Sequence, residues 1–315
     1  MAELTSARYG KDNIRLYKVH KDPTTNIQTV VEMTVCTQLE GAIDTSYTAA
    51  DNSVIVATDT QKQSVYILAK QHPIAPPELF AALVGQHFVD SYPHIHAAHV
   101  SIVQHRWSRL LVDGEPHPHS FIRDGEETRE VAAVVRDGQG ASELQGGGAK
   151  GITLSSAIDK LVVLKSTGSA FHGFHRDEYT RLPETWDRIL STSVRARWGW
   201  KHFGSVDAVR AEVGEFDRAW KVAREVTLST FATDNSASVQ NTMYKMCEAI
   251  LGAVGGIENV SYTLPNRHYF EVDLSWHKGL KNTGGDAEVY APQTDPNGLI
   301  DCTVSRKGLK AKAKL

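Results

Sequence analysis

The chain has 315 residues, of which 41% are hydrophobic and 23% are charged, and its formal net charge is −3 at pH 7. This length and composition predict a globular protein with room for about two domains. The charge gives no overall basic field for nucleic acid, and no apolar stretch approaches the roughly 20 residues that a membrane-spanning helix needs. The N-terminal segment lacks the apolar region of a signal peptide. Three scattered cysteines are too few for a disulfide framework, which is typical of a reducing compartment.

The first half of the chain predicts the order strand, strand, helix, helix, strand, strand. "IRLYKV" is a short strand, and "VVEMTVCTQLEG" alternates with Val31, Met33, Val35, Thr37 and Leu39 on one face. The spacing then becomes helical, and we expect a helix that starts near Thr58 and carries a Thr60–Gln63 capping box. "PPELFAALVGQHFVDSY" predicts a second helix with prolines at its entry. Two long segments, "IHAAHVSIVQHRWSRLLV" and "HSFIRDGEETREVAAVV", read as a hairpin.

The second half repeats this order after a glycine-rich segment. Residues 141–151 are rich in glycine and lack apolar periodicity, so we expect a linker between domains at 1–140 and 152–306. A long helix is expected from about Glu215 to Phe231, with Trp220 among its buried residues, and another helix after "DNSASVQ". The predicted fold class is α+β, as a duplicated unit of an antiparallel sheet with two helices on one face.

A histidine-rich segment is the one candidate for a metal site. His94, His96 and His99 form the pattern H-x-H-x-x-H. In a strand His94 and His96 share a face and His99 points to the other, so three ligands would need a bend. A histidine-rich strand without metal is the simpler interpretation.

Stretches spread over almost the whole chain resemble one family, urate oxidase (uricase), with the fungal members nearest. These stretches are "ARYGKDN", "DNSVIVATD", "HIHAAHV", "PHPHSFIRD", "VLKSTGSAFHGFHRDEYT", "ETWDRILST", "NSASVQNTMYKM", "LPNRHYFEVDLSWHKGL" and "DPNGLI". The resemblance implies two tandem T-fold domains in a homotetramer that encloses a tunnel. It also implies oxidation of urate by O2 and water to 5-hydroxyisourate and hydrogen peroxide, with neither metal nor organic cofactor.

The resemblance implies a clamp for the urate anion. Arg188 matches the substrate arginine of the family, whose planar fork donates two bonds to one side of the purine. Gln240 matches a glutamine whose amide both donates and accepts, and Val239 contributes its backbone N–H at a helix start. Phe171 matches the ring that stacks on the purine face.

A second group of residues is implied to complete the site and to handle protons. Thr58 and Asp59 match residues that reach the pocket from a neighbouring subunit, and a helix N-terminus there suits an anion. Lys11, Thr58 and His268 match the proton-handling groups, with Lys11 bonded to Thr58 in a relay. Asn266 matches the residue beside the position taken by O2 and then water, which Thr58 also lines. The active sites are then expected at subunit interfaces.

The basic tail, residues 307–315, ends in Ala313-Lys314-Leu315, one substitution from the Ser-Lys-Leu peroxisomal signal. We therefore expect recognition by the peroxisomal import receptor and a location in the peroxisome. Three other readings stay open at this point. They are a purine- or pterin-binding protein without turnover, a metal enzyme that uses the histidine-rich segment, and a purely structural role.

Overall fold

The computed structural model describes residues 2–140, 145 and 147–308, so residues 141–144 and 146 of the expected linker and the Ala313-Lys314-Leu315 signal lie outside the described residues. The secondary structure in chain order is β1 (Tyr9–Lys21), β2 (Gln28–Gly41), α1 (Asp44–Thr48), α2 (Thr58–Gln71), α3 (Pro77–Ser91), β3 (Ile95–Val112), β4 (Glu115–Arg136), β5 (Gly151–Lys165), β6 (Leu190–Trp200), α4 (Val206–Ala211), α5 (Val213–Thr233), α6 (Val239–Ala253), β7 (Ile257–Glu271) and β8 (Tyr290–Ser305). The expected order of two strands, two helices and two strands is confirmed in both halves. Two short helices, α1 and α4, were not predicted.

The chain separates into two compact units. The first contains Met1–Ile158, Arg197–Lys221 and Val254–Glu258, and the second contains Asp159–Ala196, Val222–Ala253 and Asn259–Leu315. The division therefore falls within β5, β6, α5 and β7. In the described part of the chain, no helix is both long enough and apolar enough to cross a bilayer.

An antiparallel sheet of β1 to β4, paired in chain order, forms the frame of the first unit. The predicted alternation of β2 is confirmed, because Met33, Val35, Thr37 and Leu39 are each fully buried. Helix α3 covers β3 and β4 with an apolar face that includes Phe80, which is also fully buried. Packing of α3 on the sheet removes apolar side chains of both from water, and such burial is the dominant favourable contribution to folding.

Helix α2 begins at Thr58, as predicted, but its cap differs from the prediction. The residue before the helix is Ala57, and no side chain caps the start. Thr60 lies inside the first turn, so the expected capping box with Gln63 is wrong. The first backbone N–H groups of α2 therefore lack the side-chain acceptor that a capping box provides.

In the second unit, α6 packs against β8, and β7 pairs with β8 in antiparallel register. The buried side chains of α6 include Val239, Met243 and Met246, as its helical spacing predicts. On α5 the buried positions include Ala223 and Thr227, but Trp220 is only half-buried. The prediction for Trp220 is therefore corrected. The guanidinium of Arg106 lies 5.2 Å from the centroid of the Trp220 ring, which is close enough for a cation–π contact.

A buried charged network crosses the first unit. Arg129 Nη2 donates to Glu78 Oε2 at 2.7 Å and Arg129 Nη1 donates to Asp217 Oδ1 at 2.6 Å. Ser156 Oγ donates to the other oxygen of Glu78 at 2.7 Å, and the Glu78 side chain has 0% exposure. Burial alone lowers the pKa of Arg129, but the two carboxylates outweigh it and raise that pKa.

Replacing Glu78 with alanine is expected to destabilise the protein by about 3 kcal/mol or more, because Arg129 would then stay buried without its main partner. A thermal-unfolding scan measures the loss. The matched control is Glu215→Ala, which breaks an exposed pair with Arg218 within one helical turn and should leave the midpoint nearly unchanged. Equal shifts for the two variants would contradict the prediction.

Candidate active site

Lys11 lies on β1 beside a bulge. Its Cα pairs with Thr37 of β2, and the register then shifts before Ile14 pairs with Val35. Asn13 accommodates the extra residue by adopting the left-handed conformation, with φ 55°. The Asn13 N–H donates to Asp12 Oδ1 at 2.7 Å. Bulges turn a strand and redirect its side chains, and they are frequent beside active sites. The sequence "YGKDN" therefore interrupts the regular pairing of β1 with β2 directly after Lys11.

Close packing of β1 on β2 explains the glycine before Lys11. A Cβ at Gly10 would lie 1.7 Å from the carbonyl oxygen of Thr37. Any side chain here would push the strands apart.

The start of α2 is tied to the same two strands. Gln61, with no exposed surface, accepts a hydrogen bond from Thr37 Oγ1 at 2.9 Å and donates to the Val56 carbonyl at 3.2 Å. The Val56 N–H donates to the hydroxyl of Tyr9 at 2.7 Å. These bonds hold the segment that leads to Thr58 against the strands that carry Lys11.

Thr58 and Asp59 occupy the first turn of α2. Thr58 is half-buried, whereas Asp59 is exposed and forms a salt bridge with Lys62 one turn later. The hydrogen bond from Lys62 lowers the pKa of Asp59, and the positive charge of Lys11 adds to this shift. The first unit therefore carries a lysine, a hydroxyl and a carboxylate on elements that its own hydrogen bonds connect.

The second unit brings Arg188 onto Phe171. The Arg188 guanidinium carbon lies 5.2 Å from the centroid of the Phe171 ring. Burial lowers the pKa of Arg188, although a guanidinium remains charged at any physiological pH. Phe171 also stacks on Phe174 with centroids 4.8 Å apart. A cation and an aromatic face in this arrangement can hold a flat anion by charge and by stacking.

Short loop segments hold this pair in place by backbone hydrogen bonds. The Phe171 N–H donates to the Thr185 carbonyl at 2.8 Å, and the reverse bond measures 2.9 Å. The Arg188 N–H donates to the Ser169 carbonyl at 2.8 Å. Asp187 accepts from the Thr167 hydroxyl at 2.6 Å and from the Gly168 N–H at 2.8 Å, and these bonds lower its pKa.

The start of α6 carries Val239 and Gln240. The Ser238 hydroxyl accepts a hydrogen bond from the Asn241 N–H at 3.4 Å and donates one to Gln240 Oε1 at 3.1 Å. The Gln240 side chain is thereby oriented by the residue that precedes the helix. Val239 is the first helical residue, so its N–H has no acceptor within the helix. Val239 is 7% exposed, so its side chain packs in the core while its N–H remains without a helical acceptor.

Asn266 and His268 lie at a second bulge, on β7. Asn266 pairs with Gly298 of β8, and the register then shifts so that His268 pairs with Gln293. A largely apolar cavity has both Asn266 and Val239 in its wall. Its lining residues are Leu190, Thr192, Val194, Phe231, Val239, Thr242, Met246, Leu264 and Asn266. The cavity brings the β7 residue and the α6 residue to one space within the second unit.

The histidine-rich segment distributes its side chains among different partners. His96 Nδ1 lies 2.9 Å from Asp137, and His99 Nε2 lies 2.7 Å from Glu40. His94 precedes β3 and contacts the ring of Tyr92 edge-on. Within residues 2–140, 145 and 147–308, no group of three or more histidine, cysteine or acidic residues is arranged to hold a metal ion.

Sequence analysis missed the polar residues that support the start of α6. Lys165, Asp234, Ser236 and Thr242 form hydrogen bonds to one another, although they lie on different segments. The only sequence signal was the run of small polar residues in "DNSAS", which also suits an ordinary helix start.

Comparison with known proteins gives a consistent result. The family model "Uricase" matches residues 7–134 and 154–301. A uricase from Emericella nidulans is 62% identical over 315 residues, which covers the whole of both chains. A uricase from Aspergillus flavus is 62% identical over 99% of this chain and the whole of its own. The crystal structure of uricase from Arthrobacter globiformis superimposes with a TM-score of 0.84 at 33% identity, over 99% of this chain and 98% of that one.

Proposed function

Because the chain belongs to the uricase family of O2-using enzymes, we propose that it oxidises urate with O2 and water to 5-hydroxyisourate and hydrogen peroxide, without metal or organic cofactor. The urate anion is electron-rich and can itself pass electrons to O2. The protein then has three tasks, which are to fix the anion, to remove a proton and to hold O2 and then water over the ring. Orientation and preorganised charges accomplish these tasks.

The proposed clamp lies in the second unit. Arg188 donates two hydrogen bonds to the urate anion, Gln240 and the Val239 N–H bind the other polar edge, and Phe171 stacks on the purine face. The observation that carries the proposal is the contact of the Arg188 guanidinium with the Phe171 ring at 5.2 Å. It places a fixed positive charge beside a flat apolar surface, as a planar anion requires.

The proposed proton path uses Lys11, Thr58 and His268. Lys11 takes a proton from urate through the Thr58 hydroxyl, and His268 handles the proton exchanged with water and peroxide. Asn266 and Thr58 bind O2 and later the attacking water, while Asp59 contacts the substrate from the start of α2. Lysine and threonine fit these roles chemically because one accepts a proton and the other both donates and accepts.

We further propose the assembly and the location. The chain forms two tandem T-fold domains, at 1–140 and 152–306, and four copies form a tunnel-shaped homotetramer. Each active site combines the clamp of one subunit with Thr58 and Asp59 of its neighbour. The terminal Ala313-Lys314-Leu315 directs the enzyme to the peroxisome through the import receptor.

The activity is tested by spectroscopy. Purified protein mixed with urate and air should remove the near-ultraviolet absorbance of urate, and O2 consumed and peroxide formed should be equal. Prior treatment with a strong chelator, followed by gel filtration, should leave the rate unchanged. Binding of urate without any oxygen uptake would instead support a purine-binding protein, and a loss of rate that added metal restores would support a metal enzyme.

Sites shared between subunits predict complementation. Thr58→Ala and Arg188→Ala homotetramers should each be severely impaired, but unfolding and refolding them together should restore activity. In randomly mixed tetramers about one quarter of the sites contain both Arg188 and Thr58, because one variant supplies Arg188 and the other supplies Thr58. Gel filtration of the mixture checks that tetramers have re-formed. If mixed tetramers stay as inactive as their parents, each site lies within a single chain.

A further inference from the structure

A cluster of four polar residues lies beneath the start of α6, and we call Lys165, Asp234, Ser236 and Thr242 the Ser236 cluster. Lys165 Nζ donates to the Asp234 carbonyl at 2.8 Å and to Ser236 Oγ at 2.9 Å. Thr242 Oγ1 donates to Asp234 Oδ2 at 2.6 Å and lies 3.0 Å from Ser236 Oγ. Ser236 and Thr242 are 1% and 3% exposed, whereas Lys165 and Asp234 are half-buried, so the cluster reaches from the interior of the second unit towards its surface.

The donors and acceptors of this cluster form one directed chain. Thr242 has a single hydroxyl hydrogen, and its shortest contact is the Asp234 carboxylate, a charged acceptor. The hydrogen between the two hydroxyls therefore comes from Ser236, which in turn accepts from Lys165. Each member has a partner within the chain, and this matters because an unpartnered buried polar group destabilises the fold.

The cluster connects two segments of the proposed clamp. The Ser236 N–H donates to the Gly168 carbonyl at 3.1 Å, and the Ala170 N–H donates to the Ser236 carbonyl at 3.0 Å. Ala170 is adjacent to Phe171, and three residues after Ser236 the chain enters α6 at Val239. Ser236 is thus bonded on its backbone to the segment of Phe171 and on its side chain to the first turn of α6, through Thr242.

Lys165 and Asp234 hold the backbone of this junction. Burial lowers the pKa of Lys165, whose ammonium also lies 5.4 Å from the centroid of the Phe231 ring. Asp234 is further held by Lys245 Nζ at 2.6 Å. A partly buried ammonium that donates to a main-chain carbonyl restricts the turn between α5 and α6 more than a solvated lysine would.

We propose that the Ser236 cluster consists of positioning residues that set the spacing between Phe171–Arg188 and Val239–Gln240, so that it determines the affinity for urate and not the rate of oxidation. The inference rests on the proposed function, in which those four residues hold urate. None of the cluster residues is assigned to the proton path. Loosening the cluster therefore weakens the clamp, because hydrogen bonds to a rigid planar ligand lose strength when their donors shift.

The test uses Thr242→Val, which keeps the shape and the methyl group of the side chain but removes the hydroxyl. The Kd for urate is measured under argon, where the absence of O2 prevents turnover, and kcat is measured in air with saturating urate. The Kd is expected to rise on the order of 10- to 100-fold, as the loss of one hydrogen bond to a charged group predicts, while kcat stays within about threefold. Lys165→Met should give the same pattern.

Two controls separate positioning from general damage. Thr242→Ser keeps the hydroxyl and should bring Kd back to within about twofold of the wild-type value. Thr233→Val removes an exposed hydroxyl that bonds only within α5, at 2.8 Å to the Ser229 carbonyl, and should change neither constant.

The outcomes distinguish this inference from the proposed function. If the wild-type protein does not oxidise urate, the proposed function fails. If it does, an unchanged Kd in Thr242→Val, or a loss confined to kcat, overturns the positioning role. A fall in thermal midpoint with equal losses in Thr242→Ser and Thr242→Val overturns it as well, because the residue would then act only in stability.

Discussion

Replacing Lys11 with methionine is expected to lower kcat by about 10²- to 10⁴-fold, which is the usual contribution of a general base. Methionine keeps the unbranched chain length but has no proton acceptor. The KM for urate should change little, because the proposed clamp lies on other residues. Steady-state rates from the loss of urate absorbance measure both constants.

The structure of the first unit gives this prediction its basis. Lys11 lies beside a bulge whose geometry is fixed by Asn13, and β1 and β2 hold the segment before Thr58 through Gln61. The substitution should therefore remove the amine without moving the Thr58 hydroxyl, which is its partner in the proposed relay. The dependence of kcat on pH gives a second measurement, because the part of the profile that follows ionisation of the base should be absent from the variant.

The matched control is Lys21→Met. Lys21 lies at the exposed end of the same strand, so its replacement also removes one positive charge from β1 but leaves the bulge intact. Its kcat should equal that of the wild-type protein. Retention of full kcat by Lys11→Met would show that the proposed relay is wrong, and a loss in both variants would point to the charge of the strand instead.

Replacing Arg188 with alanine is expected to lower kcat/KM at least a hundredfold, mainly through urate binding. The two charge-assisted hydrogen bonds that the half-buried guanidinium is proposed to donate should contribute about 3 kcal/mol or more, which corresponds to that factor. Arg188→Lys keeps the charge but not the planar fork, so it should recover only part of the loss. Anaerobic titration with urate gives the binding contribution separately from turnover.

Arg181→Ala is the appropriate control for this loop. Arg181 is exposed in the segment that leads to Arg188, and its removal should leave Kd and kcat unchanged. Because the Arg188 N–H bonds to Ser169 through the backbone, the alanine variant keeps that link. If Arg188→Ala bound urate as tightly as the wild-type protein, the clamp would have to be assigned to other residues.

Much of the fold could be predicted from local pattern. The alternation of β2 and the helical spacing of α2 and α6 depend only on which side chains face the core, so the chain by itself indicated these elements. The start of α2 at Thr58 was visible because the apolar spacing changes there. Capping was not predicted correctly, since a capping box needs a particular backbone geometry at Thr60, and Ala57 occupies the position before the helix.

For the candidate site, too, some features could be predicted from the sequence and others only from the structure. The sequence by itself determined the order of the elements and, through motifs spread over the chain, the residues that resemble those of one family. Only the tertiary structure decided what supports them. Lys165 and Ser236 are 71 positions apart, and their bond at 2.9 Å exists because β5 and the turn before α6 meet in the folded second unit. Contacts between distant segments depend on the whole backbone, whereas periodicity depends on near neighbours, and for that reason the Ser236 cluster was not visible before the structure.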